Sequence, residues 1–357
     1  MSQGRSPDTF KPLLQKLVHT PEYFTPDDLR NALEHVFTPE AVLPVQIGAF
    51  LTALHVNRVE RRPESLAAAA DVLRQRALKA AVQDADTDFV VDIVGTGGDG
   101  HNTSIRIGIL IFILLQHGSR ASTSSSGSAD LLQSLGCLFT PPSADTPMLI
   151  ARIPFTFILA PHYHPALAMI APYRKALPFR TMFNVLGPLI NPTRPRGMLV
   201  GVAVPELGNT YAQSLREGGV ERAFVVCGAE RLDEISCAGY TDVWELKDGQ
   251  ITQSVIHPEQ FGLETHPLSE VAGGTPTENA EIFKLLLTSG AAIPKRLTPI
   301  LHFVLMNAAA LLVVAGKADD FKGGVQLAME SITSGKAWKA LEIFREAGRR
   351  AAEKVSS

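Results

Sequence analysis

Four short stretches hold residues whose types and spacing could do chemistry. Gly95-Thr96-Gly97-Gly98-Asp99-Gly100 follows a β-branched run, Phe89–Val94. Glycines there let the backbone approach a ligand with its amides facing an anion, as phosphate-binding turns do. A tight turn without a ligand reads equally well from the spacing alone. Ser122–Ser128, followed by Ala129-Asp130, is rich in short hydroxyls and leads into a helix at Leu131–Leu135. It suits an anion at a helix start, or a serine linker capped at Ser128 or Asp130. Asp233-Glu234 follows the strand pattern Ala223–Cys227. Two adjacent carboxylates on such a loop can hold Mg²⁺, whose remaining ligands are water and substrate phosphate, or can be solvated surface. His162 and His164, one residue apart, have no third ligand at zinc spacing, which argues against that metal. Arg174 could grip a carboxylate with its planar fork.

These loops need a scaffold, and the hydrophobic pattern supplies one. The first 85 residues read as helices. Thr25-Pro26-Asp27-Asp28 is a helix start ahead of Leu29, Leu33 and Val36. Thr38-Pro39-Glu40 reads as a second start before Val42, Val45, Phe50 and Leu54, and Pro63–Ala80 as a further helix. From Phe89 the character changes. Strands are expected at Phe89–Val94, Phe155–Ala160, Met198–Val204 and Ala223–Cys227, with helical patterns between several of them. Asp248-Gly249 between two alternating runs signals a hairpin. From Glu278 the chain is mostly helical, ending on Lys336–Val355. That pattern specifies an α/β class.

Bulk properties narrow the partners. With 33 basic and 36 acidic residues the net charge is −3, so no overall field recruits nucleic acid or an anionic membrane. The longest apolar run, Ile107–Leu115, is far short of the roughly 20 residues a membrane span needs. Met1–Lys11 carries no apolar stretch of a signal peptide. Cys137, Cys227 and Cys237 lack paired spacing, which fits a reducing, cytoplasmic setting with the thiols as small buried apolar groups.

Taken in this order, the motifs resemble those of the anthranilate phosphoribosyltransferase family. Asp92–Gly100 is similar to its D-x-x-GTGGDG loop, His117–Arg120 to its KHGNR segment and Ser126–Asp130 to its SGSAD. His162–Ala166, Arg180–Pro192 and Leu232–Ser236 resemble three further signatures, and the serine loop leans toward fungal members. GTGGDG alone is a weak signal; the combination is highly specific. The resemblance implies a small N-terminal helical domain, residues 1–85 joined by helices from about 164–190. It implies a large α/β domain, 86–357, with a central mixed, mainly parallel sheet. It implies a homodimer meeting through the small domains, Mg²⁺ as cofactor, and two small-molecule substrates, phosphoribosyl pyrophosphate and anthranilate. Gly95, Thr96, Gly97, Gly98, Asp99, Thr103 and Ser128 would hold the first, His117, Ser119, His164 and Arg174 the second, and Asp233 and Glu234 the metal. No general base is implied.

One stretch departs from the pattern. The family continues its glycine loop with an N-x-S-T segment; here Ser104–Gln116 is an apolar run, shorter than the family interval. Gln116 stands where the family has lysine, Ser119 where it has asparagine, and Ser125 where many members have a second lysine. Charge-assisted contacts of the missing kind are worth about 1.5–3 kcal/mol each. Two readings of the stretch stand: a weakened or dead homologue, or a misplaced splice boundary. The intact Asp99, Asp233 and Glu234 favour the second. A pyrimidine nucleoside phosphorylase-like enzyme is the alternative of similar fold, and Leu232–Glu234 with Arg180–Pro192 argues against it.

Overall fold

The structure, a computed structural model, describes residues 4–82, 89–103, 114–120, 125–142, 148–150 and 153–356. It begins with four α-helices, α1 (Pro7–His19), α2 (Pro26–Val36), α3 (Pro44–Val56) and α4 (Pro63–Arg76). Thr25 caps α2 as its sequence predicts: its hydroxyl accepts from the Asp28 amide at 3.2 Å, and its own amide donates to the Asp28 carboxylate at 2.8 Å. Two expectations fail here. Thr38-Pro39-Glu40 does not open α3, because the Thr38 hydroxyl donates backward to Glu34 O at 2.7 Å and Glu40 turns the chain with φ 63°. The helix starts later, with Pro44 in its first turn. The helix expected over Pro63–Ala80 ends at Arg76, and Ala80–Val82 is a short strand, β1, in a segment that reads as all helical. Its parallel partner is β4 (Met148–Ile150), too remote in sequence for any local pattern to announce.

Between them lie β2 (Val91–Gly95), β3 (Leu114–Gly118) and α5 (Ser128–Ser134). After β4 come β5 (Phe155–Leu159), α6 (Ala160–Tyr163), α7 (Pro165–Ala176), β6 (Gly197–Gly201), α8 (Gly208–Glu217) and β7 (Arg222–Gly228). The hairpin β8 (Thr241–Lys247) and β9 (Gln250–Ile256) turns through Asp248 and Gly249, both at positive φ, as the Asp-Gly pair predicts. Helices α9 (Pro276–Thr288), α10 (Thr298–Val314), α11 (Phe321–Thr333) and α12 (Lys336–Ser356) close the chain.

Seven strands form the main sheet in the order β5-β3-β2-β6-β7-β8-β9. The first five run parallel and the last two antiparallel, the mixed, mainly parallel sheet that was expected. Alternation along each strand divides its two faces. Leu199, Phe224, Val226 and Val243 pack with α9–α12. Met198, Val200, Val225 and Trp244 pack with α8 and, through one continuous apolar cluster, with Phe10, Leu33, Phe50 and Leu66 of the helical bundle. Ala166 and Ile170 of α7 and Met182–Ile190 join that same cluster.

One apolar segment is longer than the runs counted in the sequence: Lys295–Val314 is long and apolar enough to cross a membrane. With 72% of that stretch buried inside the fold, it is the core helix on which the sheet rests.

Candidate active site

Parallel strands all end on one side of a sheet, and loops gather there. The turns after β2, β3, β5 and β7 and the end of β6 line a cavity of about 740 Å³. Of the thirteen residues singled out in the sequence, Gly95, Thr96, Gly97, Gly98, Asp99, His117, Ser119, Ser128, His164, Arg174, Asp233 and Glu234 all line it. Thr103 does not; its backbone bridges Ala272. Most of the altered run, residues 104–113, and residues 121–124 of the serine loop lie outside the described residues. Ser128 is the first residue of α5 rather than its cap, which is Gly127, its amide donating to Asp130 at 2.9 Å.

The glycine loop and the acidic pair are built together. Gly97, Gly98 and Gly100 sit at positive φ, 66°, 76° and 78°, which favours glycine. Gly97 N donates to Asp233 Oδ2 at 2.6 Å. A Cβ on Gly95 would stand 2.2 Å from that carboxylate, and one on Gly201 1.6 Å from the Asp233 carbonyl oxygen. Only glycine at these two positions lets the loop after β7 lie against the ends of β2 and β6. Asn307, on α10, fixes the next residue from the other side: its amide oxygen accepts from Ile235 N at 3.0 Å and its nitrogen donates to Ile235 O at 3.3 Å. Asp233 and Glu234 offer hard oxygen donors to the cavity. Among the described residues no three His, Cys, Asp or Glu converge on a self-sufficient metal site. A carboxylate pair of this kind fits Mg²⁺, which prefers one or two carboxylates with substrate phosphates and water as its other ligands.

The second group is cationic or neutral. His117 Nδ1 lies 3.2 Å from Gly187 O, and a carbonyl can only accept, so Nδ1 carries the proton. Its Nε2 then accepts from His164 Nε2, 3.2 Å away. Burial and the neighbouring His164 push His117 down to about 3, and burial pushes His164 down to about 4. Both rings are therefore neutral hydrogen-bonding groups at pH 7. His117 is held from below by Asp92, which is wholly buried on β2 and accepts from His117 N at 3.2 Å and from Asn191 Nδ2 at 2.9 Å. Burial raises the Asp92 carboxyl to about 7 against those bonds.

Arg174 lies on the last turn of α7, its guanidinium 6.0 Å from the Phe183 ring centroid. Burial, then Arg180, lowers its pKa, and its Nε is buried without a partner. A confined guanidinium with an unused donor is a site for a carboxylate. Arg180 links the two groups: Nη2 donates to Thr96 O at 3.2 Å and the side chain covers Gly98.

Arg180, Asn184, Asn307 and Asp92 escaped assignment from the sequence. Arg180 and Asn184 lie inside a quoted signature, and Asp92 opens another. Asn307 had a signal of its own, the one amide side chain on the mostly apolar helix α10.

The helical bundle, and the α/β sheet that carries the glycine loop and the carboxylate pair, are each matched by a domain of the glycosyl transferase family. The helical bundle domain of the glycosyl transferase family matches residues 11–77 and its a/b domain residues 87–338. The anthranilate phosphoribosyltransferase of Schizosaccharomyces pombe is 40% identical over 350 residues, covering 94% of this chain and 98% of that protein. The enzyme of that name from Synechococcus sp. is 38% identical over 88% of this chain and 90% of its own. The structure of anthranilate phosphoribosyltransferase from Saccharomyces cerevisiae in complex with PRPP and Mg superposes with a TM-score of 0.86 at 32% identity, covering 98% of this chain and 100% of that one. The same yeast enzyme in complex with 4-fluoroanthranilate gives 0.85 at 30% identity over the same shares of the two chains. This chain belongs to the anthranilate phosphoribosyltransferase family.

Proposed function

We propose that this protein transfers the phosphoribosyl group of phosphoribosyl pyrophosphate to the amine of anthranilate, a pentosyltransferase reaction of tryptophan biosynthesis. The products are N-(5-phosphoribosyl)anthranilate and pyrophosphate. The observation that carries this is one cavity holding both an anion cradle, Gly95–Asp99 beside Asp233 and Glu234, and an unpaired Arg174 next to the neutral pair His117–His164.

In the reaction the bond from the anomeric carbon to the pyrophosphate oxygen breaks as the amine nitrogen bonds that carbon. The amine proton leaves to solvent or to the departing pyrophosphate. Asp233 and Glu234 would hold Mg²⁺, which when bound neutralises charge on the leaving group. The glycine loop lines the same cavity, held against the metal-side carboxylate by the Gly97 amide, which donates to Asp233 Oδ2. Arg174 pairs with the anthranilate carboxylate and orients the ring. Neutral His117 and His164 line the aromatic substrate without adding a cation that would compete for its carboxylate. An aromatic amine is nucleophilic when neutral, so alignment of two bound reactants does the remaining work. Ser119 and Ser128, which line the cavity from the turn after β3 and the start of α5, would border the two substrates. Thr103 takes no direct part in this arrangement.

A homodimer is part of the proposal. Helix α3 is apolar nearly all round, yet Val45, Ala49, Thr52 and Val56 face outward on one stripe, with Val45 74% and Val56 69% exposed. Leu43 adds to it, and a second copy covering the same stripe through a two-fold axis would bury it. The division into residues 1–85 with helices from about 164–190, and 86–357, belongs to the same reading. A cytoplasmic setting is supported by the three cysteines, all buried and unpaired.

The test is the loss of anthranilate fluorescence when protein, phosphoribosyl pyrophosphate and Mg²⁺ are mixed. We expect the signal to fall with wild type and to stay level with Asp233→Ala. A folded wild-type protein that leaves it unchanged is the outcome of a dead homologue and overturns the assignment.

A further inference from the structure

Arg180 and Phe183 line the cavity, yet the segment that bears them is not part of a long helix or a strand. Met182–Asn184 is a single 3-10 turn, and Phe179 and Arg180 precede it in irregular chain. Something outside the cavity has to hold this segment still.

Two side chains of the helical bundle do so, one on each side of Arg180. Glu60, 6% exposed, accepts from Met182 N at 2.8 Å through Oε2. Its Oε1 accepts from His55 Nδ1 at 2.7 Å. The His55 ring stacks on Phe179 with centroids 4.2 Å apart and planes at 18°. The chain thus meets the bundle at Phe179 and again at Met182, with Arg180 and Thr181 between. Local sequence explains how the pair arises. Helix α3 ends at Val56, Arg58 reverses the chain with φ 54°, and the turn Val59–Arg61 returns Glu60 beneath His55. Neither side chain lines the cavity.

The geometry points to Glu60 and His55 as positioning residues for the transferase reaction, acting on both substrates through the Phe179–Asn184 segment. Arg180 reaches the glycine loop at Thr96 O, while Phe183 supports the Arg174 guanidinium, so a loosened segment disturbs the phosphate side and the carboxylate side together. Burial raises the Glu60 carboxyl above its ordinary value, opposed by the bonds from His55 and Met182. A buried acid in that position is costly unless its hydrogen bonds are made. This inference rests on the proposed function.

The experiment measures dissociation constants for anthranilate and, with Mg²⁺, for phosphoribosyl pyrophosphate by calorimetry, together with kcat, in three variants. Glu60→Ala is expected to weaken both constants about tenfold and to lower kcat by a similar factor, because the alignment of the two bound substrates is lost while the reacting groups remain. Glu60→Gln keeps an oxygen for Met182 N and an amide for the imidazole, and is expected to recover binding to within about twofold of wild type. His55→Ala, at a partly exposed position that folding tolerates, is expected to weaken both constants by about threefold. If His55→Ala and Glu60→Gln both bind as wild type and Glu60→Ala does too, the proposal is overturned alone. It is overturned equally if Glu60→Gln is as impaired as Glu60→Ala. Should Glu60→Ala not fold, His55→Ala decides: unchanged binding overturns the proposal, weakened binding of both substrates supports it. A wild-type protein that binds neither substrate overturns the transferase reading itself, and this inference with it.

Discussion

His117 and His164 illustrate how single residues acquire a function from what surrounds them. Each is an ordinary imidazole in the sequence, with an unperturbed pKa of about 6.5. In the fold each is 2% exposed, and the pair shares one proton-mediated contact. The consequence for stability has a definite sign. Below pH 6.5 the unfolded chain protonates His164, whereas the folded chain resists until about 4. Stability from this group is complete above pH 6.5 and is lost as pH falls through that window. His164→Gln keeps a donor for His117 and removes the titration. Its thermal midpoint is expected to fall less steeply than the wild-type midpoint between pH 6.5 and 4. Parallel curves for the two proteins would refute the assignment of that slope to His164. Asp92, raised to about 7, acts in the opposite sense, which is why the comparison is made between variant and wild type rather than on wild type alone. Sequence reasoning found the two histidines through a motif. The burial that neutralises them is set by the packing of the fold around them, and it prevails over the opposing backbone bonds to Gly187 and Ile190.

Among the elements, local signals were reliable where all partners lie within a few residues. The α2 capping box and the Asp248-Gly249 turn need nothing beyond their own neighbours. Thr25→Ala is expected to cost about 1 kcal/mol, the usual worth of an N-cap, seen as a lower urea midpoint with unchanged slope. An unchanged midpoint would mean that Asp28, bonded also to Lys16 Nζ at 2.6 Å, holds the α2 terminus without the hydroxyl. The signals failed where a second element competes. Thr38 had every mark of a cap, but the open carbonyl of Glu34 lay closer. Ala80–Val82 looks like the tail of a helix until β4 supplies its hydrogen bonds.

At the scale of the whole molecule, the two faces of one sheet unite the chain. The apolar cluster that starts in α1 continues through α4 and α7 to Trp244 on β8, so the bundle and the sheet are parts of one packed body. Among the apolar side chains that body leaves exposed, Leu43, Val45 and Val56 cluster at the α3 stripe. Wild-type protein is expected to sediment at twice its 38.5 kDa chain mass, and Val45→Glu with Val56→Glu to shift it to monomer by placing unpaired charge in the contact. A wild-type monomer would dismiss the dimer.

The sequence by itself determined the α/β class, most of the helices and strands, and twelve of the residues that line the cavity. Those depend on periodicity, on glycine and on short motifs, all written within a few residues of one another. Tertiary structure alone decided that Gly95 and Gly201 leave room for Asp233, that Asp92 and Asn191 support His117, and that Thr103 pairs with Ala272 and does not line the cavity. Each of those outcomes is set by the distance between elements many residues apart, and close approach in space has no local signature in a chain.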